Sequence, residues 1–111
     1  AAALWRRRRF SRRAHRRQGL LALARGERIY DAQTLRLLHR EALLRPDGVP
    51  TEAGAEAAAA ALRDERRWAE LHRMESDAAA LNIDDGLTPI ETALTEDQIA
   101  ALDARIATRA A

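Results

Sequence analysis

The 111-residue chain has no cysteine and no long apolar run, and each absence narrows what the protein can be. Without cysteine there is no disulfide framework, no thiolate metal site and no cysteine nucleophile. No apolar run approaches the roughly 20 residues that cross a bilayer, so no membrane span is predicted within these residues. A phosphate-binding loop, a nucleophile-elbow glycine pattern and a paired-histidine zinc motif are also missing, and we therefore expect no enzymatic activity.

Lysine is absent as well, since all 19 basic residues are arginine, which we attribute together with the many alanines to a GC-rich genome. The net charge of +2 conceals an uneven distribution. Residues 1–45 carry 13 arginines against three acids, a net +10, whereas residues 46–111 carry six arginines against 14 acids, a net −8. We expect the basic end of the molecule to face phosphates or anionic lipid.

The opening of the chain is its most informative segment, because Ala1–Trp5 runs directly into a block of arginines. Tryptophan prefers the headgroup layer and arginine clusters are retained in the cytoplasm, so this order is typical of a membrane helix leaving the bilayer on the cytoplasmic side. The chain does not begin with methionine, and we expect it to be part of a longer polypeptide. The alternative is a basic arm that binds nucleic acid. In either case the predicted phosphate or lipid-headgroup contacts are Arg6, Arg7, Arg8, Arg9, Arg12, Arg13, Arg16 and Arg17.

The remaining pattern predicts an almost wholly helical chain, because Ala, Leu, Arg and Glu dominate. The predicted helices cover residues 12–25 (or from residue 4), 32–43 and 52–81, then a short helix opened by Thr88 and Pro89 and a last helix from Thr95 through Ile106. Asp31 and Thr51 are the expected N-caps, and Thr95 with Gln98 forms a capping box. Pro46-Asp47-Gly48 predicts a turn flanked at most by a two-stranded ribbon. In the second helix we expect Leu35, Leu38 and Ala42 to form a buried stripe.

This order of elements resembles a winged helix, and residues 43–54 look like the wing and the following helix of many winged repressors. Arg66–Glu70 and Ile90–Thr95 resemble the dimerisation segment of the diphtheria-toxin-repressor-like metalloregulators. With the arginine-rich opening, the chain is similar to the repressor-like domain that some bacterial manganese, zinc and iron ABC-transporter permeases carry after their last membrane helix.

The resemblance covers about residues 12–106 and implies a mainly α fold, a degenerate winged helix-turn-helix followed by a helical dimerisation segment. Residues 1–11 would be a juxtamembrane basic segment, residues 12–65 the winged-helix-like domain and residues 66–111 the dimerisation segment. One helix of the family's helix-turn-helix is missing or shrunken here, which argues against sequence-specific DNA recognition.

The resemblance also implies a metal site, although two of the family's histidines are replaced here by Arg66 and Thr92. The candidate ligands are Glu70, His72, Asp84, Asp85 and Glu91. Carboxylates with imidazole suit Mn²⁺, Fe²⁺ or Zn²⁺, but with the histidines lost we expect weak or absent binding and assign no firm cofactor. The alternative for Glu70 is an ordinary helix ion pair with Arg66 or Arg73.

The expected function is that of a cytosolic regulatory or docking domain of such a permease, at the cytoplasmic face of the bacterial inner membrane. Its expected partners are the transporter's ATPase subunit, the anionic membrane surface and a second copy of the chain, with weak non-specific nucleic-acid binding. The dimer contact is predicted to be an exposed apolar set, Trp68, Leu71, Ile90 and Leu94. The alternative is a stand-alone metal-responsive DNA-binding regulator. His15 and His39 are expected to be surface residues without a role.

Overall fold

The computed structural model describes the backbone of residues 2–74 and 88–110, and the side chains of these ranges from Arg12 onward. The helices in these ranges are α1 (Ala2–Arg25), α2 (Ala32–Arg40), α3 (Glu52–Met74), α4 (Ile90–Ala93) and α5 (Glu96–Ala110). The predicted mainly α class is confirmed. No strand occurs in the described part of the chain, and the predicted ribbon is reduced to one antiparallel bridge between Leu44 and Pro50. The chain divides into two compact units, residues 1–62 and 63–111.

In the first unit, the end of α1 and the start of α2 follow the predicted signals. Gly26 takes a positive φ of 70°, and the amide of Glu27 donates to the carbonyl of Ala22, which together close α1 in a Schellman motif. The Asp31 carboxylate accepts from the Thr34 backbone amide at 3.1 Å and from its hydroxyl at 2.6 Å, as expected of an N-cap. The helix α1 begins at Ala2, two residues before the earlier of the two predicted starts, and its predicted stop is confirmed.

The helix α2 ends at Arg40, three residues before the predicted boundary. Ala42 takes a positive φ of 59°, a conformation that usually falls to glycine, and the amide of Leu43 donates to the carbonyl of Leu38. The chain therefore leaves the helix before Ala42, which is exposed. The predicted buried stripe was wrong at this residue, whereas Leu38 is fully buried and Leu35 is half-buried.

The turn between α2 and α3 is held by side-chain and backbone hydrogen bonds. The Asp47 carboxylate accepts from the Val49 amide at 3.0 Å, and Gly48 has a positive φ of 88°. Thr51 then caps α3, because its hydroxyl accepts from the Gly54 amide at 3.0 Å and donates to the Ala42 carbonyl at 2.7 Å. The predicted cap and turn are confirmed.

The core of the first unit brings α1, α2, the turn and the start of α3 together. Its buried members are Leu20, Leu38, Leu43, Leu44 and Ala58. Two glycines, Gly19 and Gly54, lie where neighbouring segments of this unit pack so closely that a side chain would not fit. A methyl group on Gly19 would meet Thr34 and Leu38 of α2, and one on Gly54 would lie 2.0 Å from the Leu43 carbonyl oxygen.

The second unit contains the end of α3 with α4 and α5. Thr95 and Gln98 bond reciprocally, the Thr95 amide to the Gln98 side chain at 2.8 Å and the Gln98 amide to the Thr95 hydroxyl at 3.2 Å, which confirms the predicted capping box. The start of α4 differs from the prediction. Pro89 precedes the helix, and the Ile90 amide is capped by the Asp64 carboxylate of α3 at 2.8 Å.

One predicted extent differs in the structure, and a second lies partly outside the described residues. The last helix continues to Ala110, four residues past the predicted end. The prediction for α3 extends to Leu81, and the structure describes this helix as far as Met74. Residues 75–87, with the loop predicted at 82–86, lie outside the described residues.

Candidate functional site

The eight arginines predicted to contact phosphate all belong to α1, which is one uninterrupted helix. Arg12 and Arg13 are exposed. Arg16 pairs with the carboxylate of Glu41 at 3.0 Å, so part of its hydrogen-bonding capacity is used within the unit. The side chains of Arg6–Arg9 lie outside the described residues. We call the exposed side of α1 around Arg12 and Arg13 the α1 basic face.

His15 has a structural role that the sequence did not predict. Its Nδ1 lies 3.2 Å from the Thr34 hydroxyl and 3.0 Å from the Asp31 carboxylate, so it ties α1 to the N-terminus of α2. The hydrogen bond from the Thr34 side chain lowers the pKa of Asp31. The interpretation of His15 as a surface residue without a role was therefore wrong, whereas His39 is exposed as predicted.

The exposed side of α2 is polar and basic. Gln33, Arg36 and Arg40 are exposed and lie at i, i+3 and i+7, which places them on one side of the helix. Arg45, in the turn that follows, is also exposed. This group, which we call the α2 basic face, could reach phosphates or base edges of a duplex.

In the second unit, Glu70 is almost completely buried and is held by three arginines. Arg73 and Arg109 contact its Oε2 at 2.9 Å and 3.0 Å, and Arg105 and Arg109 contact its Oε1 at 3.4 Å and 3.2 Å. The Arg109 guanidinium, by hydrogen bond and charge, holds the pKa of Glu70 below its ordinary value. We call Glu70 with Arg73, Arg105 and Arg109 the arginine cluster.

A second group of ion pairs, in which one arginine of α3 binds two carboxylates, joins α3 to α5. Arg67 donates from Nε and Nη2 to the two carboxylate oxygens of Asp103, both at 2.8 Å, and from Nη1 to Glu91 at 3.3 Å. The bidentate bond from Arg67 lowers the pKa of Asp103, and the two carboxylates raise the pKa of Arg67. This geometry fixes α5 on α3.

The three predicted metal ligands that the structure describes, Glu70, His72 and Glu91, are not gathered into a site. Both oxygens of Glu70 accept from arginines and Glu91 pairs with Arg67, so a cation would have to displace guanidinium groups. His72 is exposed and its ring lies edge-on to Trp68, with the ring centroids 6.1 Å apart. Asp84 and Asp85 lie outside the described residues. Over residues 2–74 and 88–110 no three His, Asp or Glu side chains are placed to hold a metal ion.

The apolar residues predicted to form a dimer contact pack within one chain instead. Trp68, Leu71 and Ile90 are buried together with Leu102, and Leu94 packs partly buried against them. The Trp68 indole N–H donates to the Thr88 carbonyl at 3.0 Å. The prediction that this set is exposed was wrong, because α5 and α4 of the same chain cover it. A dimer through residues 66–106 stays a prediction that would need other surface residues.

Sequence reasoning missed Arg105, Arg109 and Asp103 as partners of α3, because ion pairs between residues 35 or more apart leave no local signal. It did predict the Glu70–Arg73 pair as the ordinary alternative to metal binding, and this pair is present at 2.9 Å. In the part of the chain that the structure describes, no helix combines the length and the apolarity of a membrane span. Comparison with family models, with curated proteins and with solved structures finds no match.

Proposed function

We propose that the chain is a cytosolic regulatory or docking domain of a metal-ion ABC-transporter permease for manganese, zinc or iron, held beneath the membrane by the arginines of α1. The observation that carries this proposal is the continuity of α1. The helix passes from Trp5 through the arginine block and into the core residue Leu20 without a break. A rigid helix of this kind suits a connection from a membrane region to a small domain, with arginines at headgroup level.

A docking role is favoured over metal sensing because the carboxylates that would bind a metal are paired with arginines. Glu70 and Glu91, which the resemblance gives as ligands, are engaged by arginines in the described structure. We therefore expect a domain with replaced ligand histidines and paired carboxylates to serve contacts with other proteins and not metal sensing. The ATPase subunit and a second copy of the chain are the expected protein partners.

The membrane contact is tested by the binding of the full chain to vesicles of anionic and of neutral lipid. Each arginine near an anionic surface contributes about 1 kcal/mol, so Arg12→Gln with Arg13→Gln should weaken binding to anionic vesicles by roughly 25-fold. The matched control is Arg63→Gln with Arg66→Gln, which removes the same charge from exposed residues of the second unit. Equal weakening by both pairs, or equal binding to neutral vesicles, would refute the proposed membrane contact.

The permease assignment is tested by the coding sequence that precedes Ala1. We expect it to encode several apolar segments of about 20 residues. A preceding sequence without such segments would refute attachment to a permease.

The second candidate, a metal-responsive DNA-binding regulator, is favoured by the α2 basic face, because an exposed helix with Gln33, Arg36 and Arg40 on one side can enter a major groove. Fluorescence anisotropy with duplexes of different sequence separates the two functions. Under the first proposal binding is weak, steeply salt-dependent and uniform, and Arg36→Gln weakens it equally for every sequence. Sequence-selective binding at physiological salt, relaxed by Arg36→Gln, would favour the regulator.

A further inference from the structure

Among the residues that the structure describes, the arginine cluster carries more positive charge than its single carboxylate can balance. Three guanidinium groups surround Glu70, which leaves a net charge of +2 in a group whose members all lie within hydrogen-bonding distance of one carboxylate. The neighbouring described carboxylates of Asp103 and Glu91 are bound to Arg67. Like charges held this close repel, so a second anion would lower the electrostatic energy of the cluster.

Glu70 has no acceptor capacity left for further donors. Each of its oxygens accepts two hydrogen bonds, and its side chain is 1% exposed. The three arginines together have fifteen N–H donors, since each guanidinium carries five. Four of these N–H groups bond to Glu70. The other N–H groups of the three arginines are directed away from it.

The three arginines of the cluster are exposed, so their remaining N–H groups lie at the surface. Their side chains are 53%, 52% and 54% exposed for Arg73, Arg105 and Arg109, while the carboxylate that gathers them is buried. Glu70 therefore orders three flexible side chains from beneath and presents their outer edges together. Such pre-ordering removes much of the entropy cost that separate surface arginines would incur on binding a ligand.

From this geometry we infer that Arg73, Arg105 and Arg109 form a binding site for a phosphate group, with Glu70 as the buried residue that positions them. Guanidinium forks match the oxygens of phosphate, and a dianion with several acceptor atoms can bridge more than one of them. The attraction comes from the guanidinium groups themselves, because Arg73 and Arg109 lie in the last described turns of α3 and α5 and not at a helix N-terminus. This site lies in the second unit and does not depend on the membrane contact proposed for α1.

The site is tested by titrating inorganic phosphate into the full ¹⁵N-labelled chain at constant ionic strength and following each arginine Nε–H signal by NMR. The site-resolved signals separate this cluster from the α1 basic face. The signals of Arg73, Arg105 and Arg109 should shift together and saturate. Arg105→Gln removes the longest contact to Glu70 and leaves the other two arginines in place, and it should weaken phosphate binding about tenfold.

The matched control is Arg66→Gln, an exposed arginine of the same unit, which should change phosphate affinity less than about twofold. Vesicles with phosphate-monoester headgroups form a second arm. If they shift the same signals and compete with free phosphate, the natural source is a lipid headgroup, whereas a response to phosphate alone indicates a soluble phosphate compound. The inference is overturned if the cluster signals do not saturate in the millimolar range, or if Arg66→Gln weakens binding as much as Arg105→Gln does.

Discussion

Replacing Gly54 by alanine tests how the turn and α3 are fitted together. A methyl group at this position would lie 2.0 Å from the carbonyl oxygen of Leu43, and 2.9 Å from its carbonyl carbon. A carbon and an oxygen atom in ordinary contact are about 3.3 Å apart, so the start of α3 and Leu43 would have to separate by roughly 1.3 Å.

Leu43 cannot supply that movement alone. Its carbonyl accepts from the Thr51 amide at 3.0 Å, its own amide donates to the Leu38 carbonyl at 2.9 Å, and its side chain is buried in the first core. The separation therefore stretches the Thr51 bond and loosens the core together. Overpacking costs about 1–3 kcal/mol and a lost hydrogen bond about 1 kcal/mol, against a gain of up to about 1 kcal/mol from alanine in a helix. We therefore expect Gly54→Ala to lower the free energy of unfolding by about 2 kcal/mol.

Thermal unfolding followed by circular dichroism measures this loss. For a domain of this size a destabilisation of about 2 kcal/mol lowers Tm by roughly 8–16 °C. Ala55→Gly is the control, since it makes the reverse exchange at the exposed next residue of the same helical turn and should cost only about 1 kcal/mol. A Gly54→Ala protein as stable as the parent chain would refute the close approach that the structure shows.

The remaining predictions concern the second unit. Because the pKa values of Glu70 and Asp103 are lowered by their arginines, the stability that they contribute is fully present above the ordinary carboxyl pKa. It should be lost as the pH falls below about 4, seen as a change in Trp68 fluorescence that Asp103→Asn makes smaller. Ile90→Ala, at a side chain with no exposed surface, should lower the free energy of unfolding in urea by about 2–5 kcal/mol, and a loss below about 1 kcal/mol would contradict its burial. If residues 66–106 form a dimer contact, sedimentation should show a dimer at high micromolar concentration, and a monomer there would count against it.

The features predicted correctly from the sequence are those whose partners lie within a few residues. The caps at Asp31 and Thr51, the capping box at Thr95 and the stop at Gly26 each depend on contacts spanning five residues or fewer, so the residue types and their spacing contain the whole signal. The early end of α2 is a local exception. Ala42 has a backbone conformation that favours glycine, and an alanine at this position does not indicate that the helix has ended.

The features missed depend on contacts between distant residues. Asp64 caps α4 from 26 residues away, and Glu70 meets Arg109 39 residues away. The spacing of Trp68 and Leu71 along a helix indicates an apolar side, but it does not tell whether the covering surface comes from the same chain or from a second copy. In the structure the same chain covers it, through Ile90 and Leu102. The assignment of Glu70 as a metal ligand came from the resemblance, and two of the three arginines that bind it, Arg105 and Arg109, are distant in sequence.

The arginines have different roles in the two parts of the chain. In the second unit Arg67, Arg105 and Arg109 are directed at the half-buried Asp103 and the buried Glu70, so charge is used to fasten α5 to α3. Residues 1–45 have only three acids for 13 arginines, and the structure engages Asp31 in a helix cap and Glu41 with Arg16. Carboxylates of this segment cannot neutralise its arginines, and an excess of this size favours an external polyanion as the counter-charge. An anionic bilayer can be met by the arginine block of α1, which has eight arginines within residues 6–17, whereas a duplex would be met mainly by the α2 basic face, which has three. This difference in the number of available arginines is the physical reason for ranking membrane attachment ahead of DNA binding.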